Sequence, residues 1–353
     1  MKQPLLRIVG LCGLLVVFTV SSSIVQAQPS AALRVDGVTL VDGSGSRFIV
    51  KGVNMETWRD RGCSAVTLQQ YEKRDEIAER MSSLGINAVR MNYYQAWLYQ
   101  GDNLSKFLDL AETLVDHGMY VMPSDHTFSS KSLGNRQRIF PMFQSIIEGM
   151  RERGLEDHLI FNPYNEPGPV DRWSAWIEAQ NDTLDFLRNT AGFKGVVVLD
   201  SRAWAADYDI DSYQQVMDHD AELLGGEPNV IFSNHWYPNI SILHPRIVSD
   251  NANLTPVIFG EIGQMNPGVT PPTPRYVQDL LDYVVEVGIP NSHNGVFLWL
   301  WSWCDRNSAT REDYLTLTNY GQIYVDHYLS KVKGDEPVVK RENTATPTAT
   351  ATP

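Results

Sequence analysis

The stretch His158–Gly168, HLIFNPYNEPG, is an apolar run that ends in an acid. Leu159 to Tyr164 are typical of a buried strand, and Glu166 follows them in the tripeptide Asn-Glu-Pro. A second apolar run, VIFGEIG at 257–263, contains Glu261 in the matching place. One glutamate at a strand end is usually a structural ion-pair partner, but two in matching contexts predict a pair of carboxylates that act together.

Outward from these two runs, strand-like segments alternate with amphipathic helical patterns, which is typical of parallel βα units. Eight such units predict a closed (β/α)8 barrel of the TIM type, with a doubly wound open sheet as the alternative. Before them, residues 33–41 contain an Asp-Gly turn and predict a short N-terminal β-hairpin. The strand candidates are Ile49–Asn54, Ala88–Asn92, Tyr120–Pro123, Leu159–Tyr164, Val196–Asp200, Val230–Asn234, Val257–Gly260 and Val296–Trp301.

In a barrel of this kind, functional residues lie at the C-terminal ends of the strands. Polar and aromatic side chains collect at those ends, whereas the N-terminal ends of the strand candidates have few of them. The sequence therefore predicts a site at one mouth of the barrel. The candidates outside the two glutamates are Arg90, His126, Asn165, His235, Tyr237 and Trp301.

Composition limits the classes of partner. The 353 residues are 43% hydrophobic, enough for a large core, and the net charge of −13 argues against nucleic acid or an anionic membrane as partner. The sequence has no phosphate-binding glycine loop and no Cys/His group with zinc-ligand spacing, so no cofactor and no metal are expected. We expect a monomer that acts on a neutral or cationic ligand.

The two ends of the chain differ from the middle. Lys2 and Arg7 precede an apolar run that is short for a bilayer span, so residues 1–27 are predicted to be a secretory signal peptide, with a membrane anchor as the alternative. Residues 335–353 are rich in threonine and proline and read as a linker or tail, beyond which a further module could follow. The expected catalytic domain is 28–334, secreted to the outside of the cell.

Four motifs, taken together, resemble glycoside hydrolase family 5 of clan A, the cellulase and mannanase family. They are YNEPG at the fourth strand, SNHWYPN at the sixth, FGEIG at the seventh and WLWSW at the eighth. The resemblance covers roughly Arg34 to Lys333 and implies a retaining double displacement at a β-glycosidic bond. It implies Glu166 as acid/base, Glu261 as nucleophile and Asn165 as a ligand of the sugar 2-hydroxyl.

The resemblance also implies supporting residues. Arg90 matches the arginine that orients the nucleophile, and His126 falls where the family carries a histidine, although PSDHTF departs from the usual pattern. His235 and Tyr237 match a His-x-Tyr pair, and two residues of a strand that lie two apart point to one face. Of the alternating tryptophans 299, 301 and 303, Trp301 is expected to be the sugar platform, because a flat aromatic face suits a pyranose.

The predicted substrate is a β-1,4-linked polysaccharide, and the main hypothesis is an endo-β-1,4-glucanase. Mannan or xylan is the alternative within the same chemistry. A barrel that binds carbohydrate without cutting it is the alternative from another class, although binding alone would not need an acid and a nucleophile. An esterase is not indicated, because the sequence lacks a GxSxG elbow.

Two cysteines remain once Cys12 leaves with the signal peptide. Cys63 follows the first strand and Cys304 the eighth, and those strands are neighbours in a closed barrel. Because export permits disulfides, the two are a disulfide candidate, with two free thiols as the alternative.

Overall fold

The computed structural model describes residues 32–57, 71–127, 133–168, 172–237, 245–263, 274–301 and 308–333. The predicted signal peptide and tail lie outside these ranges, as do Cys63 and Cys304, so those predictions stay predictions. Among the described residues, no helix combines the length and the apolar character that a bilayer crossing requires.

Seven parallel strands form one curled sheet. Each is short and almost every residue of it is buried, as expected of strands covered on both faces. The strands are β3 (Val50–Glu56), β4 (Ala88–Tyr93), β5 (Tyr120–Asp125), β6 (Val197–Asp200), β7 (Val230–Trp236), β8 (Val257–Ile262) and β9 (Gly295–Leu298). Their order in the sheet is β5-β4-β3-β9-β8-β7-β6.

The eighth position is filled by residues 159–162, between β5 and β6. The N–H of Ile160 donates to Val121 on one side, and that of Phe161 donates to Val196 on the other. The segment makes only isolated parallel bridges rather than a full ladder, and Pro163 after it has no N–H to extend the pairing. Its bridges close the sheet, so the predicted (β/α)8 barrel is confirmed.

Helices surround the barrel and bury their apolar stripes against it. The longer ones show the expected spacing, and Leu110, Ala111 and Leu114 of the helix at Asn103–Asp116 are all buried. The helices are α1 (Arg74–Ser83), α2 (Gln95–Leu98), α3 (Asn103–Asp116), α4 (Phe140–Glu152), α5 (Trp173–Asp185), α6 (Arg202–Ala205), α7 (Ile210–Leu224), α8 (Pro245–Asp250), α9 (Pro274–Tyr283) and α10 (Asn319–Tyr324).

The N-terminal hairpin covers the bottom of the barrel. Its strands β1 (Arg34–Asp36) and β2 (Thr39–Val41) pair antiparallel around Gly37, whose φ of +63° suits the turn, and so the hairpin prediction is confirmed. Leu33, Val35 and Leu40 join the apolar cluster that fills the lower barrel.

Residues two apart in a strand point to the same face, so every second residue of each strand faces the inside of the barrel. These inward side chains are apolar near the N-terminal ends of the strands and polar near the C-terminal ends. Ala88 lies in the apolar cluster, and two residues on in the same strand comes Arg90; Val198 is likewise followed by Asp200. This change of character confines charged side chains to the C-terminal mouth.

Candidate active site

Arg90 is the hub of the polar mouth. Its side chain is fully buried, and its Nη1 donates to Oε1 of Glu261 at 2.5 Å and to Oδ1 of Asn54 at 2.9 Å. Its Nη2 donates to Oδ1 of Asn165 at 2.8 Å and to Oδ1 of Asn162 at 3.0 Å. One guanidinium therefore binds these four side chains, which suits the planar fork of donors that arginine presents.

Glu261 is held by donors on both carboxylate oxygens. Arg90 donates to Oε1, and the phenol of Tyr237 donates to Oε2 at 2.8 Å. Donors of this kind bind a carboxylate more strongly than a carboxylic acid. The preceding Gly260 leaves room for the site, because a Cβ there would lie 2.3 Å from Oγ of Ser233 and 3.0 Å from Nε2 of His235.

Glu166 lies near Glu261 at the mouth of the barrel, and both acids are close to Nδ1 of His235. The side chain of Glu166 is 24% exposed, against 4% for Glu261, so it is the more accessible acid. Its Oε1 lies 2.9 Å from Nδ1 of His235. Burial beneath the mouth raises the pKa of Glu166, the hydrogen bond from His235 opposes that shift, and the charge of Glu261 adds to it.

Asp200 is a member of this network that we did not single out from the sequence. Its Oδ2 accepts the backbone N–H of Glu166 at 3.0 Å and lies 3.3 Å from both Nη2 of Arg90 and Nε2 of His235. The signal was present, because GVVVLD is an apolar run that ends in an acid, as the runs before Glu166 and Glu261 do.

The charges of the site balance. Burial alone lowers the pKa of His235, but the carboxylates of Glu261 and Asp200 outweigh it and raise that pKa to about 10. Burial raises the pKa of Asp200, but the charges of His235 and Arg90 outweigh it and hold that pKa below its usual value. Two cations, Arg90 and His235, thus face two anions, Glu261 and Asp200, and Glu166 is the acid that can keep its proton.

Metal binding suits this arrangement poorly. Glu166, His235 and Glu261 are the one group of three potential ligands found in the described ranges, with ligand atoms within 4.8 Å of one another. However, the guanidinium of Arg90 already occupies Glu261, and an imidazolium at His235 has no lone pair to offer. The trio is better explained as two acids with a charged hydrogen-bond donor between them.

The prediction that Trp301 forms the sugar platform is wrong. Its side chain is 1% exposed and packs in the core between the barrel and its helices. Trp299 instead is partly exposed and stacks on His126, with ring centroids 6.2 Å apart. The error arose because strand β9 ends at Leu298, so the alternation of faces does not extend to the tryptophans.

His126 lies against the site as well. Its ring stacks on Trp299 and lies near the ring of Tyr94 at a tilt of 42°. Burial, and then the charge of Arg90, lowers the pKa of His126 well below the usual value, which favours the neutral imidazole. In the described part of the chain, its Nε2 has no hydrogen-bond partner. Of the predicted site residues, all except Trp301 therefore converge on one mouth.

A pH dependence of stability follows from His235. Because its pKa rises from 6.5 to about 10 on folding, the folded protein holds one more proton than the unfolded chain between these values. The stabilisation is complete below pH 6.5 and is lost as the pH rises through about 10. Between about pH 7 and 9, the advantage of the wild type over His235→Gln should fall by about 1.4 kcal/mol per pH unit. Urea unfolding of both proteins measures this, and a constant difference would contradict it.

Comparison with known proteins decides the family. The model of the cellulase family, glycosyl hydrolase family 5, matches residues 41–307, which is most of the chain. The chain belongs to glycoside hydrolase family 5. It is therefore a glycoside hydrolase, and the recognition made from the four motifs is confirmed.

Two curated relatives of this family 5 chain are mannan endo-1,4-beta-mannosidases. That of Salipaludibacillus agaradhaerens is 24% identical over 303 residues, which are 82% of this chain and 86% of the relative. That of Cellvibrio japonicus (strain Ueda107) is 25% identical over 243 residues, 66% of this chain. The match spans about half, 52%, of the Cellvibrio protein.

Solved structures share the fold. The mannotriose complex of Thermomonospora fusca beta-mannanase has a TM-score of 0.65 at 20% identity and covers 87% of this chain and 99% of its own. Cellulase Cel5C_n has a TM-score of 0.68 at 15% identity, and the match covers 88% of this chain and 96% of the cellulase chain. At these identities, the likeness supports the barrel and leaves the substrate open.

Proposed function

We propose that this hydrolase is a retaining endo-β-1,4-mannanase in which Glu261 is the nucleophile and Glu166 the acid/base. One observation carries the mechanism. One carboxylate oxygen of Glu166 lies within 4.8 Å of one carboxylate oxygen of Glu261, and Nδ1 of His235 is near both acids, at 2.9 Å and 3.5 Å. Retaining enzymes place the two carboxyl groups about 5–5.5 Å apart, whereas inverting enzymes need about 6.5–9.5 Å to admit a water molecule.

The environments of the two acids fit the two roles. Glu261 receives donors from Arg90 and Tyr237, which aim its carboxylate and favour attack on the anomeric carbon. Glu166, with its raised pKa and its exposure at the mouth, is the acid that can give a proton to the leaving oxygen.

The reaction then runs in two steps. In the first step, an oxygen of Glu261 bonds to the anomeric carbon while the glycosidic bond breaks. The electron pair of the glycosidic bond stays on the leaving oxygen, and that oxygen takes the proton of Glu166. Water next attacks the same carbon and gives a proton to Glu166, and the bond to Glu261 breaks with its electrons returning to the carboxylate.

Neighbouring residues would bind the sugar. Arg90 holds Oδ1 of Asn165, which directs the amide N–H groups of Asn165 away from Arg90 and toward the place of the 2-hydroxyl. Nε2 of His126 is a second group for a sugar hydroxyl. Trp299 replaces Trp301 as the aromatic platform in this proposal.

Mannan is favoured over glucan by the relatives. Both curated relatives described above carry a mannanase name, although a cellulase barrel is equally similar in fold. The glucanase hypothesis thus gives way to the mannanase alternative. A polymeric substrate also fits the export that the N-terminal residues predict, although those residues lie outside the described structure.

A hydrolysis screen tests the substrate. Purified protein would be incubated with linear β-1,4-mannan, cellulosic glucan, xylan and mixed-linkage β-glucan, and the products would be separated by chain length. We expect short manno-oligosaccharides of several lengths as the main product. Faster cleavage of glucan would return the assignment to the glucanase, and release of a single short product would point to an exo-acting enzyme.

The stereochemistry is a separate prediction. Because two displacements at one carbon restore its configuration, the first product should carry the β-anomer. Proton NMR within the first minutes of manno-oligosaccharide hydrolysis, before mutarotation, measures this. An α-anomer as the first product would exclude the double displacement.

A further inference from the structure

Asp200 lies beneath the two candidate catalytic acids, at the C-terminal end of β6. Its side chain is fully buried, and Asn162 donates to its Oδ1 at 3.2 Å. Its Oδ2 faces Arg90, His235 and the backbone N–H of Glu166. Every oxygen is thus turned toward the protein, so Asp200 can affect the reaction only through these neighbours.

The first neighbour is the backbone of Glu166. Glu166 has a φ of +46°, in the left-handed region that costs a residue with a side chain about 1–3 kcal/mol. The N–H of Glu166 donates to Asp200 at 3.0 Å, and the N–H of Asn165 donates to the carbonyl of Asp125 at 2.9 Å. These two bonds hold the turn that aims Glu166 at the mouth.

The second neighbour is His235, which lies between Asp200 and Glu166. Its Nε2 is 3.3 Å from Asp200, and its Nδ1 is 2.9 Å from Oε1 of Glu166 and 3.5 Å from Oε2 of Glu261. Among the described residues, three acids therefore lie within 3.5 Å of a ring nitrogen, and one of them, Glu261, also binds Arg90 and the phenol of Tyr237.

We propose that Asp200 is a positioning residue that keeps His235 cationic in the second half of the reaction, so that Glu166 can act as a base. This inference rests on the double displacement proposed above. In the free enzyme, both Glu261 and Asp200 supply negative charge to His235. Once Glu261 has bonded to the anomeric carbon, it is a neutral ester, and Asp200 is then the anion that supports the charge of His235 beside Glu166 itself.

The charge on His235 matters because Glu166 must change its role. As the base that accepts a proton from the attacking water, it has to be ionised, and a cationic donor 2.9 Å away favours that form. If Asp200 were neutral, Glu166 alone would supply negative charge to the imidazolium of the ester intermediate, and burial would favour transfer of the imidazolium proton to Glu166. Glu166 would then hold its proton, and the ester would break down slowly.

Asp200→Asn removes the charge and keeps the shape. The matched control is Asp220→Asn, because Asp220 is also fully buried and accepts from an arginine, Arg188, at 2.8 Å, but belongs to α7 on the outside of the barrel. Both variants and the wild type would be assayed with 2,4-dinitrophenyl β-mannobioside and β-cellobioside, whose leaving group needs no proton. Thermal unfolding would show that each variant is folded.

We expect Asp200→Asn to lower kcat by about 100-fold, the lower range for a general base, and kcat/KM by less than about 10-fold. The KM should fall with kcat, and a burst of one dinitrophenolate per enzyme and a glycosyl-enzyme mass should be seen. Asp220→Asn should lose stability without a burst. Should Asp200→Asn fail to fold, His235→Gln must accumulate the same intermediate.

Equal falls in kcat and kcat/KM without a burst would overturn the role of Asp200, as would a burst of equal size in the control. The wild type separates this failure from a failure of the proposed function. If its first product has the inverted anomer, the double displacement itself is wrong. If the wild type retains configuration and Asp200→Asn shows no burst, only the inference about Asp200 fails.

Discussion

Replacing Glu261 by alanine is expected to lower kcat on mannan by at least about 10⁴-fold, because no other group can form the bond to the anomeric carbon. The fold should survive. Arg90 keeps Asp200, Asn54 and Asn165 as partners, and His235 can release its proton when one of its anions is gone. Initial rates on mannan measure the loss of kcat, and circular dichroism shows whether the variant is folded.

Azide makes the Glu261→Ala experiment specific. It can enter the space of the missing carboxylate and attack the sugar directly, so activity on the dinitrophenyl glycoside should return with an α-glycosyl azide as the product. The matched control is Glu178→Ala, because Glu178 is an exposed acid of α5 that pairs with Arg136 at 3.3 Å. A Glu261→Ala variant that keeps most of its rate would remove Glu261 from the role of nucleophile.

Glu166→Ala is expected to have the second largest effect, and its size should depend on the leaving group. On mannan, kcat/KM should fall by about 10³- to 10⁴-fold, because the sugar oxygen leaves only with a proton. On the dinitrophenyl glycoside, kcat/KM should fall by less than about 10-fold, because dinitrophenolate leaves without one. Rates on both substrates give the comparison.

The second step gives Glu166→Ala its own signature. Water without a base attacks the ester slowly, whereas azide needs no base and should raise kcat and yield a β-glycosyl azide. An equal loss on both substrates, or an α-azide, would contradict Glu166 as the acid/base. The opposite azide anomers of the two variants therefore distinguish the two roles in one experiment.

The barrel and the two acids could be predicted from the sequence because both depend on local patterns. Runs such as HLIFNPY and VIFGEIG read as buried strands without knowledge of their neighbours. In a parallel barrel, the C-terminal ends of all strands meet at one mouth. It follows that Glu166 and Glu261 lie at the same mouth of the barrel, whatever the lengths of the helices that connect the strands.

Residues beyond the strand ends were harder to assign. The alternation of faces applies only inside a ladder, and β9 ends at Leu298, so the sequence could not tell that Trp299 faces the site and Trp301 the core. Asp200 was missed for another reason. Its run ends in an acid as the others do, but only packing shows that its carboxylate turns inward beneath His235.

The sequence by itself determined the fold class, the family, and the two glutamates at one mouth, since strand periodicity and motif order are written along the chain. Only the tertiary structure decided the separation of the two carboxylates, the charge of His235 and the place of Asp200. These depend on distances among Arg90, Asp200, His235, Glu166 and Glu261, which come from five different strand ends. Electrostatic interactions in a buried site change steeply over an ångström, and sequence spacing does not record such distances.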